Sequence, residues 1–136
     1  MQVARFLSHQ PPMLLVDELV EAGEDYAIAK LRVTRELLFS TDLGLPTWTT
    51  IEIMAQTISL YSGVNWHQKG QPPRLGFLLG TKRMTFTTAH FPLNSEITIW
   101  VKKKYRHKHV WFFDCELKCE DQVISSTLNV YEPVDE

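Results

Sequence analysis

Cysteine is scarce in this chain of 136 residues: Cys115 and Cys119 are the only two. Both fall in a segment that reads as a β-strand, where four residues span about 13 Å. A disulfide needs Cα atoms about 6 Å apart, so two reduced, half-buried side chains are expected. No paired histidines accompany them, which makes a poor case for zinc; no metal and no cofactor is expected. Charge of one sign is also missing. The net charge is −2, which argues against a general nucleic-acid binder. No apolar run approaches membrane-span length, and the first residues lack the basic-then-apolar pattern of a signal peptide. The expectation is a soluble, cytoplasmic protein without a nucleic-acid or membrane partner. Internal repeats and low-complexity linkers do not occur. With 44% hydrophobic residues, the chain can build one core, a single domain over 1–136. Helix is scarce too, and that scarcity organises the rest.

The one long helical signal begins at Leu45-Pro46-Thr47-Trp48-Thr49-Thr50-Ile51-Glu52-Ile53-Met54-Ala55-Gln56 and runs on to Trp66. Pro46 suits a helix entrance, because its fixed φ and missing N–H cost nothing there. At about 1.5 Å per residue the helix would be about 30 Å long. Ile51, Met54, Ala55, Ile58 and Tyr61 make one apolar face, and Ile53, Leu60 and Val64 add apolar groups elsewhere. A helix apolar most of the way round is a buried helix. Glu52, Gln56, Ser59 and Gly63 fall at i, i+4, i+7 and i+11, a thin polar stripe. A carboxylate there, near the positive end of the helix, needs a reason. One reading is a capping box, Thr49-x-x-Glu52, folded back on the Thr49 N–H. The other is a catalytic acid/base in an apolar setting, with Gln56 orienting it or the substrate. The capping reading would start the helix at Thr49 and leave Pro46 outside it.

Around this helix the chain reads as strands. Gln2 to Leu7 can form one helical turn, stopped by Ser8-His9-Gln10-Pro11-Pro12. Met13 to Val20 is apolar and β-compatible, the first strand, followed by a turn at Glu21 to Asp25. Tyr26 to Val33 alternates, giving the second. Arg35 to Gly44 is irregular. Beyond the helix, 68–73 is a loop by composition. A third strand, Leu75 to Thr81, carries glycines that suggest close backbone approach. Thr88 to Ser95 turns, and Glu96 to Tyr105, Val110 to Cys119 and Val123 to Tyr131 complete the set. The expected class is α+β: about six antiparallel strands wrapped round one long helix, which is the hot-dog fold. An open sheet edge and a partly uncovered helix predict pairing into a double hot-dog.

Two longer stretches resemble a known family. Phe6-Leu7-Ser8-His9-Gln10-Pro11-Pro12-Met13-Leu14-Leu15-Val16-Asp17 resembles the opening of the FabZ-type 3-hydroxyacyl-acyl carrier protein dehydratases, and Ile51-Glu52-Ile53-Met54-Ala55-Gln56 their Glu-x-x-Ala-Gln helix. The Gly44-Leu45-Pro46-x-Trp48 entrance and Pro73-Arg74-Leu75-Gly76-Phe77-Leu78-Leu79-Gly80-Thr81 are similar to the ApeP-like branch, found in aryl-polyene pigment clusters. The resemblance implies elimination of water from a carrier-bound 3-hydroxyacyl thioester to a trans-2-enoyl product. In the family a histidine takes the α-proton, a carboxylate from the facing subunit handles the β-hydroxyl, and N–H groups at the helix start polarise the carbonyl. Carried onto this chain, Glu52 is the acid/base, Gln56 its support, and Thr47, Trp48, Gly76 and Phe77 line the substrate. An acyl carrier protein and a second hot-dog subunit are the implied partners.

The pattern breaks in two places. The Gly-His-Phe-Pro that precedes the helix in simple dehydratases is replaced by Phe39-Ser40-Thr41-Asp42-Leu43-Gly44-Leu45-Pro46, and no histidine lies between His9 and His67. The family's proline-glycine has become Pro46-Thr47, where Thr47 could narrow the thioester space or serve as an N-cap. Either a partner subunit supplies the histidine or His9 is the base; the first fits better, because a base must reach the α-proton. Ala89-His90-Phe91-Pro92 mimics the lost motif but falls in a turn after the third strand, so His90 reads as a turn residue. The basic run Lys102-Lys103-Lys104-Tyr105-Arg106-His107-Lys108-His109 is a solvated hairpin end or, through Lys102, Lys103, Lys104 and Arg106, a landing patch for an acidic carrier, with Lys82 and Arg83 adding to it. Trp48, Tyr61, Trp66 and Phe77 are tunnel lining or plain core, and His67 a C-terminal helix cap. The alternatives to a dehydratase subunit are a non-catalytic hot-dog partner and a thioesterase.

Overall fold

A computed structural model describes residues 14–70, 77–81 and 84–131. Strand β1 (Glu18–Ala22) and β2 (Tyr26–Arg32) form a hairpin. A two-residue strand β3 (Leu45–Pro46) leads into a single 3-10 turn (Thr47–Thr49) and helix α1 (Thr50–Gln68). There follow β4 (Phe77–Thr81), a second two-residue strand β5 (His90–Phe91), and β6 (Glu96–His107), β7 (Val110–Cys119) and β8 (Gln122–Tyr131). Six strands make one antiparallel sheet in the order β1-β2-β6-β7-β8-β4, and β3 pairs with β5 apart from it. The helix packs on the face of β2, β6 and β7. This is the hot-dog arrangement expected from the chain.

Period-two alternation sets the register. Ala29, Ile99, Leu117 and Ile124 lie opposite one another across β2, β6, β7 and β8, and all four are buried. Their outward neighbours Ile28, Trp100, Glu116 and Ser125 form the adjacent row. A one-residue slip would exchange the two rows, so burial itself selects the pairing. Against the inner row the helix buries Ile53, Met54, Ile58, Leu60, Tyr61 and Val64. The helix remains half-exposed along Glu52, Ala55, Ser59, Ser62 and Trp66, a stripe at i, i+3, i+7, i+10 and i+14. Cys115 and Cys119 are free and buried, as their strand spacing implies. Among the described residues no helix is long and apolar enough to cross a membrane.

Three elements depart from the sequence expectation. The first strand starts at Glu18, not Met13. The Leu15 and Val16 N–H groups donate to the Gln56 side chain, and a backbone bonded to a helix cannot also run in a ladder; the portion at Met13 lies outside the described residues. The helix starts at Thr50, behind a strand at Leu45–Pro46 and a 3-10 turn, not at the Pro46 entrance, and it continues to Gln68, past Trp66. Within the expected turn at Thr88 to Ser95, His90 and Phe91 form a strand that reaches back across the chain to Pro46 and Leu45.

Candidate active site

The helix entrance is built by three segments that meet. Leu45 and Phe91 pair and are both fully buried, so Pro46 and His90, the other pair, lie on the half-exposed side of this short ladder. The Thr47 N–H donates to the Ala89 carbonyl at 3.0 Å, and its hydroxyl to the Thr88 carbonyl at 2.9 Å. Gly44 closes the corner with φ of +117°, and a Cβ on it would stand 2.0 Å from the Phe91 carbonyl oxygen. Only glycine tolerates both that dihedral and that approach. The result is a rigid collar around the positive end of the helix.

Glu52 sits in the first turn of α1, half-buried. The capping box is absent: Thr49 has helical dihedrals and makes no side-chain cap bond, and its hydroxyl donates to the Pro46 carbonyl at 2.7 Å. Glu52 instead accepts from Gln56 Nε2 at 3.0 Å. Gln56 is fully buried, and its Oε1 accepts the N–H groups of Leu15 at 2.9 Å and Val16 at 3.3 Å. Those two donors settle the orientation of the amide. With the oxygen turned to the backbone, the NH₂ must face Glu52, and one carboxylate oxygen is held by a group that cannot rotate away. A half-buried carboxyl positioned in this way at a helix N-terminus can exchange a proton with a substrate hydroxyl while the helix amides face developing negative charge.

Thr47 does not serve as an N-cap, since its hydroxyl donates to a carbonyl of another segment and accepts no helical N–H in a cap. Its N–H is equally engaged, and the Thr50 N–H donates to the Thr47 carbonyl, which leaves carbonyl polarisation to the amides that open the 3-10 turn at Trp48 and Thr49. Trp48 is 56% exposed and packs edge-on against Phe39. His9 and Gly76 lie outside the described residues, as do Lys82 and Arg83. Phe77 begins β4, paired with Tyr131 at the sheet edge. Tyr61 is core: it is buried, its hydroxyl donates to the Glu24 carbonyl, and its ring meets Phe113 edge-on.

The described histidines fall in three places. His67 is exposed in the last helical turn, and His107 and His109 sit at the β6–β7 hairpin end. His90 alone among the described histidines stands beside the helix entrance, through its pairing with Pro46. It is a strand residue and not the turn residue expected from the sequence. A ladder joining residues more than 40 positions apart carries no local signal, although the burial of Phe91 within Ala89-His90-Phe91-Pro92 is consistent with one.

The basic run does not form one patch. Lys102 and Lys104 point outward with Trp100, and Lys104 pairs with Asp114 at 3.4 Å. Strand alternation puts Lys103 on the other side, with Val101, where its ammonium lies 4.0 Å from the Trp111 ring centre and 5.5 Å from that of Tyr61; a bulge follows between Lys103 and Tyr105. Arg106 covers Trp111 at 5.5 Å. Lys102 also borders a surface groove of about 510 Å³ with Trp100, Asp114, Glu116, Ser125 and Thr127.

A family model described as ApeP dehydratase, of the ApeP-like kind, matches residues 1–136. Among curated proteins, the FabZ 3-hydroxyacyl-[acyl-carrier-protein] dehydratase of Rhizobium etli is 27% identical over 130 residues, covering 91% of this chain and 81% of its own. The FabZ of Saccharophagus degradans is 25% identical, covering 92% and 90%. Among solved structures, a chain of the dehydratase heterocomplex ApeI:P from Xenorhabdus doucetiae superposes with a TM-score of 0.86 at 27% identity, over 99% of this chain and 93% of that one. A hypothetical thioesterase from Streptococcus pneumoniae, solved with coenzyme A, superposes with a TM-score of 0.63 at 11% identity, over 88% and 90%, a likeness of fold.

Proposed function

Because the chain belongs to the ApeP-like dehydratase family, we propose that it is a dehydratase subunit acting on carrier-bound 3-hydroxyacyl thioesters in a type II fatty-acid or aryl-polyene pathway, completing its site with a second hot-dog subunit. The observation that carries the reading is the Gln56-held carboxylate of Glu52 at the start of the helix. An imidazole takes the C2 proton, and the charge that develops on the thioester oxygen meets the N–H groups at Trp48 and Thr49. Hydroxide is a poor leaving group, so Glu52 delivers a proton to the C3 hydroxyl. The C3–O bond then breaks, water departs, and the C2–C3 double bond forms from the electron pair left at C2.

The imidazole is assigned to the partner subunit. The likeness to a chain of a dehydratase heterocomplex supports this, as does the absence of any histidine between His9 and His67. The carrier is assigned to the β6–β7 end, at Lys102, Lys103, Lys104 and Arg106, of which Lys102, Lys104 and Arg106 are exposed and Lys104 pairs with Asp114. Glu52→Gln in the co-purified complex tests the reading. The amide is isosteric and its oxygen still accepts from Gln56, so the fold is retained while proton delivery is lost. Dehydration is expected to fall by at least about 100-fold. A fully active complex would make this chain a scaffold, and accumulation of free acid in place of enoyl product would make it a thioesterase. His9→Ala and His90→Ala in the same assay separate an in-chain base from a partner's.

A further inference from the structure

A buried hydroxyl costs stability unless it is bonded, and the first residue of the 3-10 turn carries one that is almost enclosed: Thr47 is 4% exposed. Its Oγ1 donates to the Thr88 carbonyl at 2.9 Å and lies 3.3 Å from the Ala89 carbonyl, which already takes the Thr47 N–H at 3.0 Å. The Thr47 carbonyl accepts from the Thr50 N–H and, at 2.7 Å, from the Thr50 hydroxyl. Every polar group of this residue is therefore committed. The β3–β5 ladder alone is a thin tether, two residues on each side, and Pro46 has no N–H to give to it. The far side of the link is fixed in turn. The Thr88 hydroxyl donates to Gln122 Oε1 at 2.9 Å, at the start of β8. Through Thr88, 41 positions away, the Thr47 hydroxyl joins the helix entrance to the six-stranded sheet.

The Trp48 and Thr49 N–H groups follow directly on this fixed residue. In the dehydratase reading they face the oxygen on which charge develops, and a donor stabilises that charge best when it is aimed before the reaction begins. We propose that Thr47 is a positioning residue for dehydration: its hydroxyl, without touching substrate, holds the turn so that those two amides point at the thioester oxygen. The side chain has what the task needs. A β-branched residue has few χ1 states to choose between, so the hydroxyl stays on its acceptors, and burial keeps water from competing for them. Valine has nearly the same shape and cannot donate, whereas serine can donate with less volume. The two substitutions separate the bond from the packing. This rests on the dehydratase reading above and deepens it by naming what aligns the polarising groups.

The test uses the complex of this chain with its hot-dog partner, given carrier-bound 3-hydroxyoctanoyl and 3-hydroxy-5-phenylpent-4-enoyl groups; the faster substrate serves for the variants. Thr47→Val should lower kcat at least about tenfold, part of the about 100-fold that a misplacement near 1 Å can cost, with KM within about twofold of wild type. Thr47→Ser should bring kcat back to within about threefold. Infrared spectroscopy of the bound trans-2-enoyl product, isotopically labelled at the thioester carbonyl carbon, reads the polarisation itself. The wild-type complex should lower the carbonyl stretch relative to the free carrier-bound product. Thr47→Val should return it towards the free value, and Thr47→Ser should not. Light scattering follows the mass of each complex. An unchanged kcat in Thr47→Val, a loss that serine does not restore, or a carbonyl band that stays at its wild-type position overturns the proposal. Dissociation of the Thr47→Val complex also overturns it, because the hydroxyl would then be supporting assembly. A wild-type complex that dehydrates neither substrate removes the dehydratase reading itself, a result distinct from a slow variant of an active enzyme.

Discussion

At the scale of single residues, Gln56 shows how much one buried amide can do. Its spacing from Glu52 is visible in the sequence, but the partners of its oxygen, Leu15 and Val16, lie about 40 positions earlier. An apolar residue at 56 would leave two buried N–H groups unsatisfied at about 1–3 kcal/mol each and release the carboxylate. Cys115 illustrates the opposite case, a group made inert by its surroundings. Burial first, and then the neighbouring Asp114 charge, push its thiol from 9.0 up to about 12. Burial also raises Cys119, against the lowering effect of its hydrogen bond with Ser95. The folded state therefore keeps the Cys115 proton after the unfolded chain has lost it. This contribution to stability is complete below about pH 9 and declines as pH rises towards 12. Urea denaturation at pH 8 and pH 10 should show an alkaline loss about 1 kcal/mol smaller in Cys115→Ala than in the wild type. Equal losses would show that the thiol titrates normally in the fold.

At the scale of elements, the collar at the helix entrance is the part that the local sequence pattern conceals. Strand β2 and the ends of β6, β7 and β8 are legible because alternation and turn residues are local signals. The β3–β5 ladder is two residues long on each side and has no period to detect. Gly44 is where it is most sensitive. A methyl group there meets the Phe91 carbonyl and requires a positive φ, so Gly44→Ala should destabilise the protein by about 3 kcal/mol in denaturant titration. A change below about 0.5 kcal/mol would mean that the two segments are not held together. The shift of β1 from Met13 to Glu18 has the same origin: apolar residues were visible, but whether their backbone bonds went to a strand or to Gln56 was not.

At the scale of the whole molecule, the carboxylate and the cations sit at two ends. The helix entrance carries Glu52, and the β6–β7 hairpin end beside Tyr61 carries the cations, about 14 Å along the helix. Lys103 and Arg106 cover Trp111, so charge there also shields an aromatic surface. Reversing Lys102 and Arg106 to glutamate should raise the apparent KM for carrier-bound substrate several-fold and weaken its dependence on salt. Turnover of a carrier-free thioester analogue should be unaffected. An unchanged KM with carrier would move the docking surface elsewhere. The sheet ends in β1 on one side and β4 on the other, and a terminal strand offers backbone groups to a second chain.

The sequence by itself determined the class of fold, the central helix, the reduced cysteines and the one-turn spacing of Glu52 from Gln56, because each rests on local pattern. Tertiary structure alone decided that Glu52 is held by Gln56 and does not cap its helix, that the Thr47 N–H is already committed, that His90 stands beside the helix entrance, and that Lys103 covers Trp111 while Lys104 pairs with Asp114. These depend on which distant backbone groups meet, and hydrogen-bond partners tens of residues apart leave no periodic trace in the chain.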